Sequence, residues 1–337
     1  MMTDDSPSLP TTEVTHAVGP SRHAGWLAVP LLAALLGAPF YLDTYYLHAI
    51  IISMIFLLPA HGLNLIVGYT GMLSLAQGAF FGIGAYVSAL MAVHFGTPFY
   101  VNFVLAGLVT SLIALPLGIP ALRLRTYSFV MCTLGFVVIG EAVVKNWVSL
   151  TRGDMGLSGV PGPLLSFGGA GFSVTTITGY YYLYLVVALA MTGLFYALIV
   201  SPAGRCMIAI RDNETLAESL GIPTWSYKLL VFTISAAFAG FGGSLYAHYL
   251  TTVSPLTFQM YYSTTILIIV LGGGAGTIRG VVVGSVVFVA ISEALRIAPE
   301  FRMIVYGFVL LILVFWQPKG LAPLLDRCLA LLGMARR

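Results

Sequence analysis

Residues 44–122 form 79 consecutive positions without a single Asp, Glu, Lys or Arg. No water-facing chain of that length leaves its surface so bare. An ordinary soluble domain carries about 25% charged residues, whereas this chain of 337 residues carries 8%. Two further charge-free stretches of 50 residues each cover 155–204 and 229–278. A membrane span takes roughly 20 apolar residues, so the longest stretch holds about three. Backbone polar groups must pair internally in lipid, which makes these spans helices rather than open strands. The fold class read from this pattern is an all-α polytopic membrane protein. Candidate spans are 25–42, 46–68, 72–95, 100–122, 126–147, 180–200, 228–250, 262–275, 281–296 and 303–317. The eighth is short and flanked by breaks, with Ser254-Pro255 before it and the glycine-rich Gly272–Gly280 after it. If it is re-entrant the count falls, giving about 8–10 transmembrane helices.

Basic residues in loops set the orientation. With the N-terminus in the cytoplasm, 11 of the 15 Lys and Arg residues lie inside and 4 (Lys145, Arg152, Arg296 and Arg302) lie outside. Both termini are therefore expected to be cytoplasmic. Residues 1–24, rich in Pro, Ser and Thr, read as a disordered cytoplasmic tail. They lack a clear basic n-region and an A-x-A cleavage site, so they are not read as a signal peptide. Residues 25–325 form the transmembrane domain, 201–227 a densely charged cytoplasmic loop, and 326–337 a cytoplasmic C-terminal tail.

Several chemistries are missing. Lys145, Lys228 and Lys319 are the three lysines, and none stands in G-x-x-x-x-G-K-[ST], where a lysine must reach the phosphates. There is no HExxH and no GxSxG. Cys132, Cys206 and Cys328 are far apart and build neither a disulfide framework nor a metal site. A net charge of +3 without a basic run gives no nucleic-acid footprint. No catalytic residue, metal or bound cofactor is expected, and the chain is not read as an enzyme. His61 and His94 fall near expected span ends, where an interfacial histidine is ordinary. Glu141 and Lys145 stand at i and i+4 and can pair on one helical face. The charge-free spans carry no mid-membrane charge relay, which speaks against a secondary transporter.

The charged loop contains Arg211-Asp212-Asn213-Glu214-Thr215-Leu216-Ala217-Glu218-Ser219-Leu220-Gly221-Ile222-Pro223. Asp212 suits an N-cap, and Glu214 falls in the first turn, where the helix dipole favours an anion. Leu216 and Leu220 share a face, Gly221 is placed to end the helix and Pro223 to keep it ended. The product is a short capped helix with an apolar ridge. It suits either a groove on a partner protein or the membrane surface.

The stretch Gly204–Asn213, with Ala217–Ile222 and Tyr227-Lys228-Leu229, resembles the coupling loop of branched-chain amino-acid ABC permeases. The resemblance continues through Ile234–Ala247, Leu63–Phe80, Leu271-Gly272-Gly273, Gly276–Gly280 and Trp316–Leu321. It covers roughly 46–325, with its motifs in order. Ser74-Leu75-Ala76-Gln77-Gly78 is similar to the M-type subunit, since the H-type commonly has Asn-Phe-Ala-His-Gly there. Asn146-Trp147 with Thr151–Pro161 is also similar to the M-type, apart from Arg152, where the family more often has glycine. The resemblance implies an ABC importer permease fold and a non-catalytic subunit forming half of a translocation pathway for leucine, isoleucine and valine. It implies four kinds of surroundings: an H-type permease, two ABC ATPase subunits that use ATP and Mg, a periplasmic substrate-binding protein, and the bacterial inner membrane. Asp212, Asn213, Glu214, Leu216, Ala217, Glu218, Leu220 and Gly221 are then the ATPase-coupling helix. A urea or short-amide importer is the alternative in the same class, and a stand-alone channel or secondary transporter the alternative outside it.

Small residues at four-residue spacing let helices approach closely. Gly78 and Gly82 form one such pair, Gly276, Gly280 and Gly284 two more, and Gly240 and Gly243 pair with Ala236 and Ala239. Asn64, Tyr69, Thr70, Ser74 and Gln77 are polar positions within apolar spans and are the candidate pathway residues. Interhelical hydrogen bonding, at around 1 kcal/mol each, is the other reading of the same side chains.

Overall fold

The longest charge-free stretch folds as three successive spans. Helix α1 (Thr44–Asn64) runs on into a π-helical segment, Leu65–Tyr69. It is followed by α2 (Gln77–Phe95) and α3 (Phe99–Ala121). The structure, a computed structural model, describes residues 35–295 apart from 168 and 169, together with 304, 305, 307, 308, 311, 320 and 321. Beyond α3 come α4 (Thr126–Asn146), α5 (Ile177–Val200), α6 (Pro202–Asp212), α7 (Glu214–Ser219), α8 (Thr224–Leu250), α9 (Met260–Gly273) and α10 (Ile278–Ala294). Among the described residues, 6 helices are long and apolar enough to cross a membrane. The 14 residues of α9 reach about 21 Å, short of the ~30 Å hydrocarbon core. The protein is thus an all-α, multi-pass membrane protein. The tails 1–24 and 326–337 and most of the spans 25–42 and 303–317 fall outside the described residues.

Each of the eight expected spans between 46 and 296 coincides with a helix, but the second of them, 72–95, starts late. Its expected first residue was 72, and α2 begins at Gln77. Gly71 adopts φ +72°, a left-handed conformation that a continuing helix does not allow. The chain then leaves the helical path, and the Leu75 amide donates to Thr133 Oγ1 of α4 at 3.1 Å.

Helix α8 lies at the centre, packed on α1, α2 and α3. Its contact with α2 is close enough to bring backbones together. A Cβ on Gly243 would stand 2.0 Å from the Phe81 carbonyl oxygen, and one on Gly84 2.3 Å from the Gly240 carbonyl oxygen. One turn further on, Ser88 Oγ and Ser244 Oγ share a hydrogen bond of 2.8 Å. Gly78 lies beneath Ser263, with its amide donating to Ser263 Oγ at 2.9 Å, and Gly82 lies under the Phe258 ring. Gly280 and Gly284 face Gly273 and Ile269 of α9, so α9 and α10 pack backbone to backbone. Gly276 stands apart from that pattern. It precedes α10, in the turn between α9 and α10, at φ +81°. Most of α1 is covered by its neighbours, whereas α3, α4 and α5 leave most of their apolar surface open. Glu141 and Lys145 pair on α4 at 2.8 Å.

At the end of the bundle where α4 finishes and α5 starts, the chain turns without long helices. Strand β1 (Leu157–Ser158) pairs antiparallel with β4 (Thr252–Val253), and β2 (Leu164–Phe167) with β3 (Ala170–Ser173). Two residues here hold φ values that favour glycine: Arg152 at +60° and Thr251 at +58°. The left-handed conformation costs a side-chain-bearing residue about 1 kcal/mol. Glycine, common at position 152 in the resembled family, carries no such cost.

Two measurements check this packing. Gly243→Ala drives a methyl into the Phe81 carbonyl and lowers the yield of folded, monodisperse protein in detergent, at a cost of about 1–3 kcal/mol. Gly193→Ala, on α5 with nothing within 4 Å of the added methyl, leaves the yield unchanged. Arg152→Gly raises the unfolding midpoint in detergent by relieving about 1 kcal/mol of backbone strain.

Candidate coupling site

The charged loop forms two short helices at the end of the bundle opposite the β1–β4 pair. Ser201 is extended and Pro202 opens α6, its ring presetting the helical φ at a position that needs no amide donor. Gly204, Met207 and Ile210 turn inward from α6. The helix ends at Asp212, and Asn213 swings to φ −159°, ψ 105°. That extended backbone points the Asn213 side chain at the next turn, and its Oδ1 accepts the Leu216 amide at 3.0 Å. Asn213, not Asp212, is therefore the N-cap of α7. Asp212 is still helical, and its carboxylate instead accepts from Arg211 Nη2 and Nε at 3.2 and 3.3 Å.

The other end of α7 closes as the sequence suggests. Gly221 sits at φ +84°, its amide donates to the Glu218 carbonyl at 2.9 Å, and the Ile222 amide donates to the Ala217 carbonyl at 3.0 Å. This pair of reversed bonds is a Schellman termination, which glycine permits at no steric cost. Ala217 is buried beneath the helix. Glu218 accepts from the Thr224 hydroxyl at 2.6 Å, and Glu214 pairs with Lys228. Both acids thus tie α7 to the first turns of α8. Leu216 and Leu220 are left on the outer side, 56% and 74% exposed. Two adjacent exposed leucines on a helix anchored by its caps form a compact apolar ridge. Beside it opens a cleft of about 390 Å³, lined in part by Thr70, Leu122, Phe129, Ile210, Asp212 and Lys228.

Of the polar residues expected near the pathway, Asn64, Tyr69 and Thr70 gather at this same end, where the π-helical segment finishes. Asn64 Oδ1 accepts the Gly276 amide at 2.7 Å, and the Thr70 hydroxyl donates to the Ile66 carbonyl at 2.7 Å. Tyr69 meets the edge of Phe195. Ser74 Oγ accepts the Ala76 amide at 3.3 Å in the break before α2. Gln77 lies apart, among α1, α2 and α8, and donates to Ser235 Oγ at 2.7 Å and to the Pro59 carbonyl at 3.3 Å. All five are buried within this chain.

Two residues gained a place that the sequence did not reveal. His61 is fully buried among the helices, stacked on Phe195 with Nε2 3.1 Å from Thr192 Oγ1. A position within a single span does not show which face a neighbouring helix will cover. Arg211 looked like one more loop cation, yet its Nη1 donates to the Gly68 carbonyl at 2.8 Å. The available signal was its position, just ahead of the helix cap.

The fold is thus a bundle of apolar, membrane-length helices carrying a small, doubly capped helix with an exposed ridge at one end. The model of the family described as "Branched-chain amino acid transport system / permease component" matches residues 45–314. The chain is 35% identical over 315 residues to the high-affinity branched-chain amino acid transport system permease protein LivM of Salmonella typhimurium, spanning 87% of this chain and 74% of that one. The LivM of Escherichia coli K12 is 34% identical over 317 residues, spanning 88% and 74%. The LivH permease of Salmonella typhimurium is 27% identical over 278 residues, spanning 78% and 89%. No solved structure matches. The chain belongs to the branched-chain amino acid transport permease family, and it is similar to the M-type members over most of its length.

The cap assignment is open to a direct check. Asn213→Ala removes the cap at about 1 kcal/mol and speeds amide hydrogen exchange across 214–219 several-fold. Asp212→Ala leaves that exchange close to wild type.

Proposed function

We propose that this chain is the M-type permease subunit of an ATP-driven importer for leucine, isoleucine and valine. Greater identity to LivM than to LivH, over nearly the whole chain, carries this reading. In it the subunit supplies half of the translocation pathway and pairs with an H-type permease. Two ABC ATPase subunits sit at the α7 end and hydrolyse ATP with Mg, a reaction in which this chain supplies no catalytic group. A periplasmic binding protein delivers the amino acid at the end that carries β1 and β4. The membrane is the bacterial inner membrane, with both termini cytoplasmic.

The geometry suits the division of labour. The ridge of Leu216 and Leu220 offers an apolar anchor for a groove on an ATPase, and the ties from Glu214 and Glu218 to α8 make α7 move with the central helix. ATP binding moves the permease between two states to the extent that it favours one of them. Asn64, Tyr69, Thr70, Ser74 and Gln77 border the break between α1 and α2, and in this reading they flank the inner end of the pathway.

Reconstitution tests it. The chain, an H-type permease, the ATPases and the binding protein together take up labelled leucine into proteoliposomes with ATP, and unlabelled isoleucine and valine compete while urea does not. Leu216→Glu with Leu220→Glu lowers ATPase co-purification ~10-fold or more, the loss expected of interface anchors, while the permease still reaches the membrane. Leucine uptake by this chain alone without ATP, or uptake that urea abolishes, defeats the reading.

A further inference from the structure

We propose that Arg211 is a positioning residue that links the α7 loop to the break at the end of α1, so that displacement of α7 opens or closes that break. The proposal rests on the coupling role given to α7 above. Its starting point is an unpaired helix end. The last carbonyls of any helix lack intrahelical donors. Here the helix passes into the π-helical Leu65–Tyr69, and Gly71 at φ +72° then takes the chain away. The Gly68 carbonyl at that end is taken up by Arg211 Nη1 at 2.8 Å. A guanidinium there gains twice, from a charge-assisted bond and from the negative end of the helix dipole.

The contact is built from both sides. On the loop side, the Asp212 carboxylate holds the other edge of the guanidinium through Nε and Nη2, which fixes its plane. Asn213, two residues along, is already the cap of α7, so little slack separates Arg211 from the docking helix. On the membrane side, a Cβ on Gly71 would lie 3.2 Å from Arg211 Cγ, and one on Gly276 would lie 3.5 Å from Nη1. Gly68 in turn abuts the Gly276 backbone, whose amide is held by Asn64. One side chain therefore stands where the α1 terminus, the start of the break and the α9–α10 turn meet. The Arg211 side chain remains 40% exposed, so water can replace the Gly68 carbonyl when the loop moves. That makes the contact reversible, as a two-position element requires.

The test uses the complete reconstituted transporter and reads leucine moved per ATP hydrolysed. Arg211→Gln assembles and hydrolyses ATP near the wild-type rate but moves about tenfold less leucine per ATP, the size of one lost charge-assisted bond. Arg211→Lys restores most of the ratio, because an ammonium still caps the carbonyl. In the permease pair without ATPases, Arg211→Gln also speeds amide exchange at Thr70 and Met72, while the α2–α8 core is unaffected. An unchanged ratio in Arg211→Gln overturns the proposal. So does a parallel fall of uptake, hydrolysis and assembly, which marks a purely structural residue. A wild-type complex without ATP-dependent uptake defeats the coupling reading itself, and is told apart because it fails before any substitution is made.

Discussion

Every backbone amide and carbonyl within the hydrocarbon must find a partner inside the protein, and the rest of this structure depends on that demand. Continuous helices satisfy it alone. Two of the breaks between helices among the described residues, at 71–76 and at 274–277, each expose groups that helical bonding no longer serves. The two breaks lie together and help to complete one another. Asn64 accepts the Gly276 amide, Arg211 donates to the Gly68 carbonyl, and the Leu321 amide donates to the Gly272 carbonyl. Such exchange requires the backbones to touch, which accounts for glycine at 68, 276 and 320 around one point.

The same demand divides the molecule by rigidity. Helices α1, α2 and α8 meet through glycine and serine contacts that leave no room for an added methyl, and a core packed this closely shifts between discrete arrangements rather than deforming smoothly. The α7 loop is of another kind. It is held by its caps, by two carboxylates reaching to α8 and by one guanidinium, with little apolar burial of its own. Regions with few buried apolar contacts open at lower free energy than the core. The molecule thus sets a lightly packed, polar loop carrying an exposed leucine ridge against a stiff helical core.

Legibility in the sequence followed the range of the physics involved. Spans were readable because hydropathy adds up over about twenty residues and needs no knowledge of neighbours. The start of α2 was not, because Met72, Leu73 and Leu75 continue the apolar pattern while the departure is made by the backbone at Gly71 and by a donor bond to Thr133 on another helix. Both Asp212 and Asn213 are good caps by type, and the choice fell to whichever residue lay outside α6. The termination at Gly221 was legible because a Schellman motif is local and the residue it wants is nearly unique.

What the sequence by itself determined is the solvent, the helical class, most span positions, the short capped helix and the family, all of which rest on composition or on motifs contiguous in the chain. Tertiary structure alone decided that His61 is interior, that Gly276 answers Asn64 across 212 residues, and that Arg211 reaches back 143 residues to Gly68. Those facts depend on which helix faces lie against each other, and no local propensity encodes that choice. It is settled by the joint requirement that apolar surfaces fit and that every interrupted backbone group meet a partner.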